Sequence, residues 1–215
     1  MSLKQKVIAI DGPSASGKGT VASRVAEALG FLYLDSGALY RLTALYAQKQ
    51  NVAWTDEDAV STLAETLPVQ FEGSVVLLNG EDVSEQIRTE AIGMGASAVA
   101  QLPKVRTALL QRQRDFLTEK GLVADGRDIG SVIFPDAALK IFLTASANVR
   151  AQRRAKQLGI PCEGVAFERI LSDIEARDEA DRRRPVAPLK QLPDALLLDT
   201  DNLSIEEAVK KVLDW

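Results

Sequence analysis

A segment near the start of the chain, GPSASGKGT at residues 12–20, has the composition of a loop that binds phosphate. Glycines let the backbone turn tightly, so that successive N–H groups can point at phosphate oxygens. Lys18 can reach the β- and γ-phosphates of a nucleotide, although Gly19 follows it where Ser or Thr is usual. The alternative is a plain Gly/Ser-rich turn between a strand and a helix. The candidate phosphate-binding residues are Gly12, Pro13, Ser14, Ala15, Ser16, Gly17, Lys18, Gly19 and Thr20.

Two further segments carry polar side chains directly after predicted strands. Ser36 and Arg41 lie in DSGALYR, and Arg127 and Asp128 lie in DGRDIG. Ligands of open α/β sheets gather beyond the carboxyl ends of the strands, and an arginine can bind an anion through two donors. We therefore expect a second anion site beside the loop. The alternatives are a helix N-cap with a surface arginine in the first segment and a structural ion pair in the second.

A third charged segment, RDEADRRRP, begins at Arg177 and ends at Pro185. Arg177 and Asp181 are four residues apart, so a helix would place them on one face. The alternative is an ordinary surface pair followed by a solvated run of charge. The arginines could also attract RNA, but the formal net charge of −4 argues against a nucleic-acid partner.

The elements that must position these side chains alternate between strands and helices, which predicts a parallel sheet covered by helices on both faces. Apolar runs predict strands at residues 7–11, 31–35, 122–125, 139–144 and 195–199. Helical spacing predicts helices at residues 18–29 and 37–50. Ser204 and Glu207 form a capping box before a last short helix. Together with the phosphate loop, these elements predict an α/β fold with a P-loop NTPase core.

Two stretches depart from this alternation. Residues 69–83 contain two short β-like runs with turn signals at Glu72-Gly73 and Asn79-Gly80, which predicts a small antiparallel insertion. The stretch from Arg150 to Arg184 is helical in pattern and rich in arginine. We expect one domain over residues 1–215, with the insertion at about 66–90 and the arginine-rich helical stretch at about 150–184.

Composition excludes several kinds of chemistry. The chain has no histidine, which removes Ser-His and Cys-His mechanisms and any His-ligated metal site. Cys162 is the only cysteine, so no internal disulfide can form, which suits a reducing compartment. No stretch approaches the roughly 20 apolar residues that span a bilayer. The opening MSLKQKVIAID shows no signal peptide, and we therefore expect a cytoplasmic protein. We also expect it to be a monomer and to bind no membrane.

Taken together and in this order, the motifs resemble those of the bacterial cytidylate kinases, a family of nucleoside monophosphate kinases. The resemblance covers essentially the whole chain: GPSASGKGT, DSGALYR, EDVSEQIRT, DGRDIGSVIFPDA and RDEADRRRP followed by VAPL. It implies transfer of the γ-phosphoryl group of ATP to CMP, and to dCMP, with Mg²⁺ on the ATP phosphates. Thr20 is a possible metal ligand. The insertion would be the monophosphate-binding region, and residues 150–184 a lid.

The resemblance also implies a role for each matching residue. Residues that read the cytosine would be Ser36, Ser97, Arg106 and Asp128. The acceptor phosphate would be held by Arg41, Arg127 and Arg184. The ribose hydroxyls would lie near Arg177 and Asp181. ATP would contact the lid arginines Arg150 and Arg154. The residues closest to the chemistry would be Lys18, Arg127, Asp128 and Arg184.

Phosphoryl transfer needs positioning and charge stabilisation more than covalent help, which suits a chain with many arginines and no histidine. The attacking phosphate oxygen is already ionised at neutral pH, so no strong general base is needed. We expect the lid and the insertion to close over the substrates and exclude water. The alternatives are a kinase acting on UMP, AMP or a metabolite such as shikimate, and an ATP-binding regulatory module without turnover.

Overall fold

The computed structural model describes residues 6–72 and 75–215. The chain divides into two compact units, one formed by the residues up to Leu34 together with Phe116–Trp215, and the other by Asp35–Asp115. The strands are β1 (Val7–Asp11), β2 (Leu32–Asp35), β3 (Val69–Glu72), β4 (Val75–Leu78), β5 (Glu81–Asp82), β6 (Leu122–Gly126), β7 (Leu139–Thr144) and β8 (Leu196–Asp199). The helices are α1 (Lys18–Leu29), α2 (Ser36–Lys49), α3 (Glu57–Glu65), α4 (Glu90–Val99), α5 (Pro103–Arg114), α6 (Ala147–Leu158), α7 (Val165–Arg182) and α8 (Ile205–Asp214).

The first unit is built on a parallel sheet with the strand order β2-β6-β1-β7-β8. The central strand β1 pairs in parallel with β6 on one side and β7 on the other. Its residues before Asp11 are apolar on both faces because both faces are covered, as is usual for parallel sheets. The carboxyl ends of these three strands therefore meet at one edge, where the segments GPSASGKGT and DGRDIG leave β1 and β6. The predicted fold class is confirmed.

Helices α1 and α8 cover one face of this sheet. Val25 of α1 and Val212 of α8 pack with Ile10 and Ile141 of the strands, all of them buried. The predicted capping box is confirmed, because the Ser204 hydroxyl accepts from the backbone of Glu207 and the Glu207 carboxylate accepts from the backbone of Ser204.

The arginine-rich stretch folds as two helices, α6 and α7, which share a small core of their own. That core consists of Ala151, Ala155, Phe167 and Ile174. The two helices therefore pack as a pair within the first unit. No helix in the described ranges 6–72 and 75–215 has the length and apolar character needed to cross a membrane.

The second unit, Asp35–Asp115, contains α2–α5 and a three-stranded antiparallel sheet in the order β3-β4-β5. The Asn79-Gly80 turn joins β4 to the antiparallel β5, and both of its residues have left-handed backbone angles. The hairpin predicted from this pair is confirmed. The sequence indicated two β-like runs, and the third strand, Glu81–Asp82, is only two residues long. The predicted Glu72-Gly73 turn lies outside the described residues.

The segment that contains Ser97 and Arg106 is divided between two helices. Helix α4 ends at Val99 and α5 begins at Pro103. Proline has no N–H to donate and disfavours helical backbone angles at the preceding residue. Leu102 is accordingly extended, with φ −83° and ψ 114°. Ser97 and Arg106 therefore lie on two different helices.

Candidate active site

The predicted phosphate loop, residues 12–17, connects the end of β1 to the start of α1. Gly12 must be a glycine because a Cβ at this position would clash with the backbone carbonyl oxygen of Leu143 on β7. Gly17 caps α1 in a left-handed conformation, with φ 89°. The loop therefore curls in front of the positive end of α1, where helix N–H groups attract anions.

The side chains of the loop add further donors. The hydroxyl groups of Ser14 and Ser16 are buried and have no hydrogen-bond partner among the described residues. A buried hydroxyl without a partner is unusual, because desolvation without a compensating bond is costly. Phosphate oxygens would satisfy both hydroxyls, so the loop has the chemistry of an anion site. Thr20 lies exposed in the first turn of α1.

Lys18, the cation of the loop, is 9% exposed and lies against a carboxylate that the sequence interpretation did not single out. Its Nζ donates to the backbone oxygen of Pro13 at 3.2 Å and lies 4.0 Å from Oδ2 of Asp125. Asp125, near the end of β6, also accepts from the hydroxyl of Tyr33 at 2.7 Å. The sequence contained one signal for Asp125, because an acidic residue ends the apolar strand predicted at residues 122–125. Asp125 thus places a buried carboxylate beside the loop lysine.

The outer side of the loop is held by two arginines of α6. Arg150, which is 3% exposed, donates from Nη1 to the carbonyl oxygen of Ser14 at 3.1 Å. The same guanidinium forms a two-point ion pair with the buried Asp178 of α7, at 2.9 and 2.5 Å. Arg153 donates to the carbonyl oxygen of Ser16 at 3.1 Å. Arg154, predicted from the sequence to contact ATP, is half-buried on the same helix.

A buried carboxylate at the end of β1 holds the turn that follows β6. Asp11 accepts from the backbone N–H groups of Ile129 and Gly130, both at 2.8 Å. Burial raises the pKa of Asp11 to about 6, although these two hydrogen bonds act in the opposite direction. Asp128, which is 3% exposed, lies directly before the turn, and its negative charge also raises the pKa of Asp11. Asp11 thereby fixes the backbone next to Asp128.

Three of the predicted residues of the first unit form an ion-pair cluster. Arg127 donates from Nε to Asp181 Oδ2 at 2.6 Å, and Arg184 lies 3.6 Å from Oδ1 of the same carboxylate. Burial alone would lower the pKa of Arg127, but the charge of Asp181 raises it above its ordinary value. Burial would likewise raise the pKa of Asp181, but Arg127 and Arg184 lower it. Arg177 is half-buried on α7, one turn before Asp181.

In the second unit, Ser36 is tied to a glutamine that the sequence interpretation missed. The Ser36 hydroxyl, at the first position of α2, donates to Oε1 of Gln113 at 2.5 Å. Gln113 is fully buried and its Nε2 donates to the carbonyl oxygen of Leu109 at 3.2 Å. Because a carbonyl can only accept, the amide is oriented with its oxygen toward Ser36. The hydroxyl proton is thus committed to Gln113, and the Ser36 oxygen can accept from another group.

The other predicted residues of the second unit are also held by their neighbours. Arg41 of α2 donates to the carbonyl oxygen of Ile87 at 2.9 Å, in the 3-10 turn Gln86–Arg88. Arg106 of α5 is 7% exposed, donates to the carbonyl oxygen of Ala100 at 3.3 Å and lies over the Tyr40 ring, 5.8 Å from its centroid. Ser97 is half-buried on α4.

Comparison with known proteins identifies similar sequences along the whole chain. The sequence model of the family described as "Cytidylate kinase" matches residues 8–215. A cytidylate kinase of Neisseria meningitidis serogroup C is 80% identical over 212 residues, which cover 99% of this chain and 97% of the relative. A cytidylate kinase of Chromobacterium violaceum is 61% identical over 209 residues, which cover 97% of this chain and 94% of the relative.

Among solved structures, an uncharacterized protein from Eubacterium ventriosum matches with a TM-score of 0.53 at 11% identity. The match covers 98% of this chain and 97% of that one. At such low identity the likeness concerns the fold alone. It agrees with the architecture of a sheet flanked by helices.

Proposed function

The chain belongs to the cytidylate kinase family, and we propose that it transfers the γ-phosphoryl group of ATP to CMP, producing CDP and ADP. The observation that carries this proposal is the match of the family to residues 8–215, nearly the full chain. The phosphate loop supplies the matching chemistry, because a kinase must hold the phosphates of its donor. We extend the proposal to dCMP, as the sequence resemblance implied.

The donor half of the reaction rests on the phosphate loop. Its N–H groups, the Ser14 and Ser16 hydroxyls and the positive end of α1 would bind the phosphates of ATP. Lys18 would place its charge on the β- and γ-phosphates, where negative charge must be stabilised during transfer. The buried, unsatisfied hydroxyls support this assignment, since phosphate oxygens would accept from both. Direct contact of Arg154 with ATP stays a prediction.

A magnesium ion bound together with ATP would supply positive charge to its phosphates. Mg²⁺ is usually bound through substrate phosphates, water and one or two protein oxygens. The carboxylate of Asp125 suits this requirement, because it lies beside Lys18 and Gly19 at the start of α1. The hydroxyl of Thr20 is a second candidate, as the sequence suggested. The ion would neutralise charge on the transferred group, while the protein side chains orient the phosphates.

The acceptor half of the reaction rests on side chains. We assign the acceptor phosphate to Arg41, Arg127 and Arg184. The ribose hydroxyls are assigned to Arg177 and Asp181. Cytosine recognition is assigned to Ser36, Ser97, Arg106 and Asp128. Three arginines on one phosphate would orient its ionised oxygen for in-line attack, so positioning replaces a general base.

The monophosphate-binding role of about 66–90, the lid role of about 150–184 and the closure of both over the substrates are parts of the same proposal. The monomeric state and the cytoplasmic location expected from the sequence also stay predictions. The rival acceptors UMP, AMP and shikimate, and a regulatory module without turnover, are not favoured by the family match.

The experiment that tests the proposal measures ADP release from ATP and Mg²⁺ with a panel of acceptors: CMP, dCMP, UMP, AMP and shikimate. We expect release to be fastest with CMP or dCMP and negligible without an acceptor. Release that is equally fast without any acceptor would indicate an ATPase. Release that depends on shikimate or AMP and not on CMP would overturn the proposed acceptor.

A further inference from the structure

The tip of the phosphate loop contains a strained residue. Ala15 has φ 55°, in the left-handed region that residues with a Cβ rarely adopt. Such conformations persist only where the surrounding structure holds them in place, and they are frequent at functional sites. The two carbonyl groups on either side of Ala15, those of Ser14 and Ser16, each accept a hydrogen bond from an arginine of α6.

These two bonds determine where the loop N–H groups point. In a trans peptide the C=O and the N–H point in opposite directions. The bond from Arg150 to the Ser14 oxygen therefore directs the N–H of Ala15 to the opposite side of the loop. The bond from Arg153 to the Ser16 oxygen does the same for the N–H of Gly17. Both N–H groups belong to the set that a phosphate loop presents to phosphate.

Arg150 is itself fixed by contacts on every side. Besides the Ser14 oxygen, it donates from Nε to the carbonyl oxygen of Ala145 at 2.9 Å and binds both oxygens of Asp178. The side chains of both members of the ion pair are 4% exposed, so the pair is shielded from water and holds the guanidinium in one orientation. Arg153 is fixed by the hydroxyl and carbonyl oxygens of Thr200, at 3.1 and 2.6 Å.

We infer that Arg150, Arg153 and Asp178 form a loop clamp, a set of positioning residues that aims the phosphate-loop N–H groups at ATP from outside the loop. This inference rests on the proposed function and deepens it. Arg150 uses four of its five N–H groups in these contacts. Its role is thus assigned through the loop backbone, in place of the direct ATP contact expected from the sequence.

The clamp connects the loop to the proposed lid. Asp178 lies on α7, and three residues later the same helix carries Asp181, the partner of Arg127. A movement of α7 would therefore act on Arg150 and on the Ser14 carbonyl. ATP affinity should accordingly depend on where α7 lies. The simpler alternative is that the pair only fastens α6 to α7, as their shared apolar core already does.

The test measures ATP affinity by calorimetry without acceptor, and KM and kcat for both substrates. Arg150→Met alone would leave the buried Asp178 without its two-point partner and could prevent folding. The principal variant is therefore Arg150→Met/Asp178→Leu, because replacing both members of a buried ion pair by apolar residues is often tolerated. We expect a melting temperature close to that of the wild type, an ATP Kd raised at least about tenfold and a KM for CMP changed less than about threefold.

Two further variants keep the test decisive even if the double variant unfolds. Arg153→Met removes the Ser16 bond without leaving a buried carboxylate behind, and we expect the same loss of ATP affinity. Arg150→Lys keeps the charge but cannot bind Asp178 at two points and also reach Ser14. The clamp predicts weak ATP binding for this variant, whereas direct charge contact predicts near-normal binding. Arg183→Met, which breaks an exposed ion pair with Glu179, is the matched control.

The outcomes separate the two proposals. Wild-type protein that does not bind ATP would overturn the proposed function itself. Wild-type protein that binds ATP, together with folded clamp variants that bind it equally well, would overturn only the clamp. Faster hydrogen exchange at the amide of residue 17 in Arg153→Met, with unchanged exchange in Arg183→Met, would support it. Unchanged exchange in both would contradict it.

Discussion

The phosphate loop and the unit formed by Asp35–Asp115 build their polar sites in different ways. The loop relies on backbone groups, whose directions are set by Gly12, by the left-handed residues Ala15 and Gly17, and by bonds to its outward carbonyls. The second unit relies on side chains, such as Ser36, that are oriented by buried partners far away in sequence. A backbone site can hold any phosphate, whereas a side-chain site can distinguish one base from another. Donor binding and acceptor choice should therefore be separable by mutation.

The largest effect is expected at the loop cation. Lys18→Ala should raise the activation free energy of phosphoryl transfer by about 2–4 kcal/mol and lower kcat accordingly. The reason is that the charge of Lys18 acts on the transferred group. The fold should survive, since the side chain is not part of the apolar core. Steady-state kinetics and a melting curve provide the check. A kcat near the wild-type value with normal melting would remove Lys18 from the mechanism.

A second loop-side prediction concerns Asp11 and pH. Its folded pKa of about 6 lies above the ordinary 3.8, so the folded state keeps this proton to higher pH than the unfolded state. The free energy of unfolding should therefore fall as pH rises from about 4 to about 6, by at most about 3 kcal/mol. Asp11→Asn should lack this decrease in denaturant titrations at pH 4 and pH 7. If the free energy of unfolding depends on pH in the same way in both proteins, the pKa of Asp11 is not raised in the folded state.

On the acceptor side, Arg41→Met should raise the KM for CMP and leave ATP affinity nearly intact. A hydrogen bond to a charged group contributes about 1.5–3 kcal/mol, which corresponds to roughly ten- to hundredfold. Arg184→Met should behave in the same way, because both charges are assigned to an anion that ATP does not supply. Calorimetry with each nucleotide provides the check. Equal weakening of ATP and CMP binding would contradict this assignment.

The next effect concerns base choice at Asp128. Cytosine presents an amine donor where uracil presents a carbonyl acceptor, and an ionised carboxylate can only accept. We expect the wild-type protein to prefer CMP over UMP. In Asp128→Asn this preference should decrease by about 1–3 kcal/mol, because an amide can also donate to the uracil oxygen. The ratio of kcat/KM for the two acceptors on both proteins measures this effect. If the ratio does not change, Asp128 only orients its neighbours.

The smallest effect on base choice is expected at Gln113, which binds Ser36 and would not contact the base itself. Gln113→Met removes the acceptor that holds the Ser36 proton, so the hydroxyl becomes able to donate to a uracil oxygen. The CMP/UMP ratio should narrow by about 0.5–1.5 kcal/mol, the net contribution of one hydrogen bond. Ser36→Ala is the matched control, and in that background Gln113→Met should leave the ratio as it is. Parallel losses for both acceptors would indicate a purely structural glutamine.

The same contrast explains what the sequence could predict. The strand residues 7–11 and the loop after them follow from local rules, because apolar runs and glycines act on their own neighbourhood. Gln113 could not be found in this way, since it meets Ser36 across 77 positions of sequence. Asp178 could not be identified either, because an aspartate in a highly charged helical segment is expected to lie at the surface. Pro103 is a readable signal for the break between α4 and α5.

The central claim is tested most directly by following the transferred group itself. ATP labelled with ³²P in the γ-position should be incubated with CMP, Mg²⁺ and the protein, and the products separated by chromatography. The account predicts that the label appears in CDP, in an amount equal to the ADP formed, and that omission of CMP abolishes the transfer. Label released as inorganic phosphate at the same rate with and without CMP would contradict it.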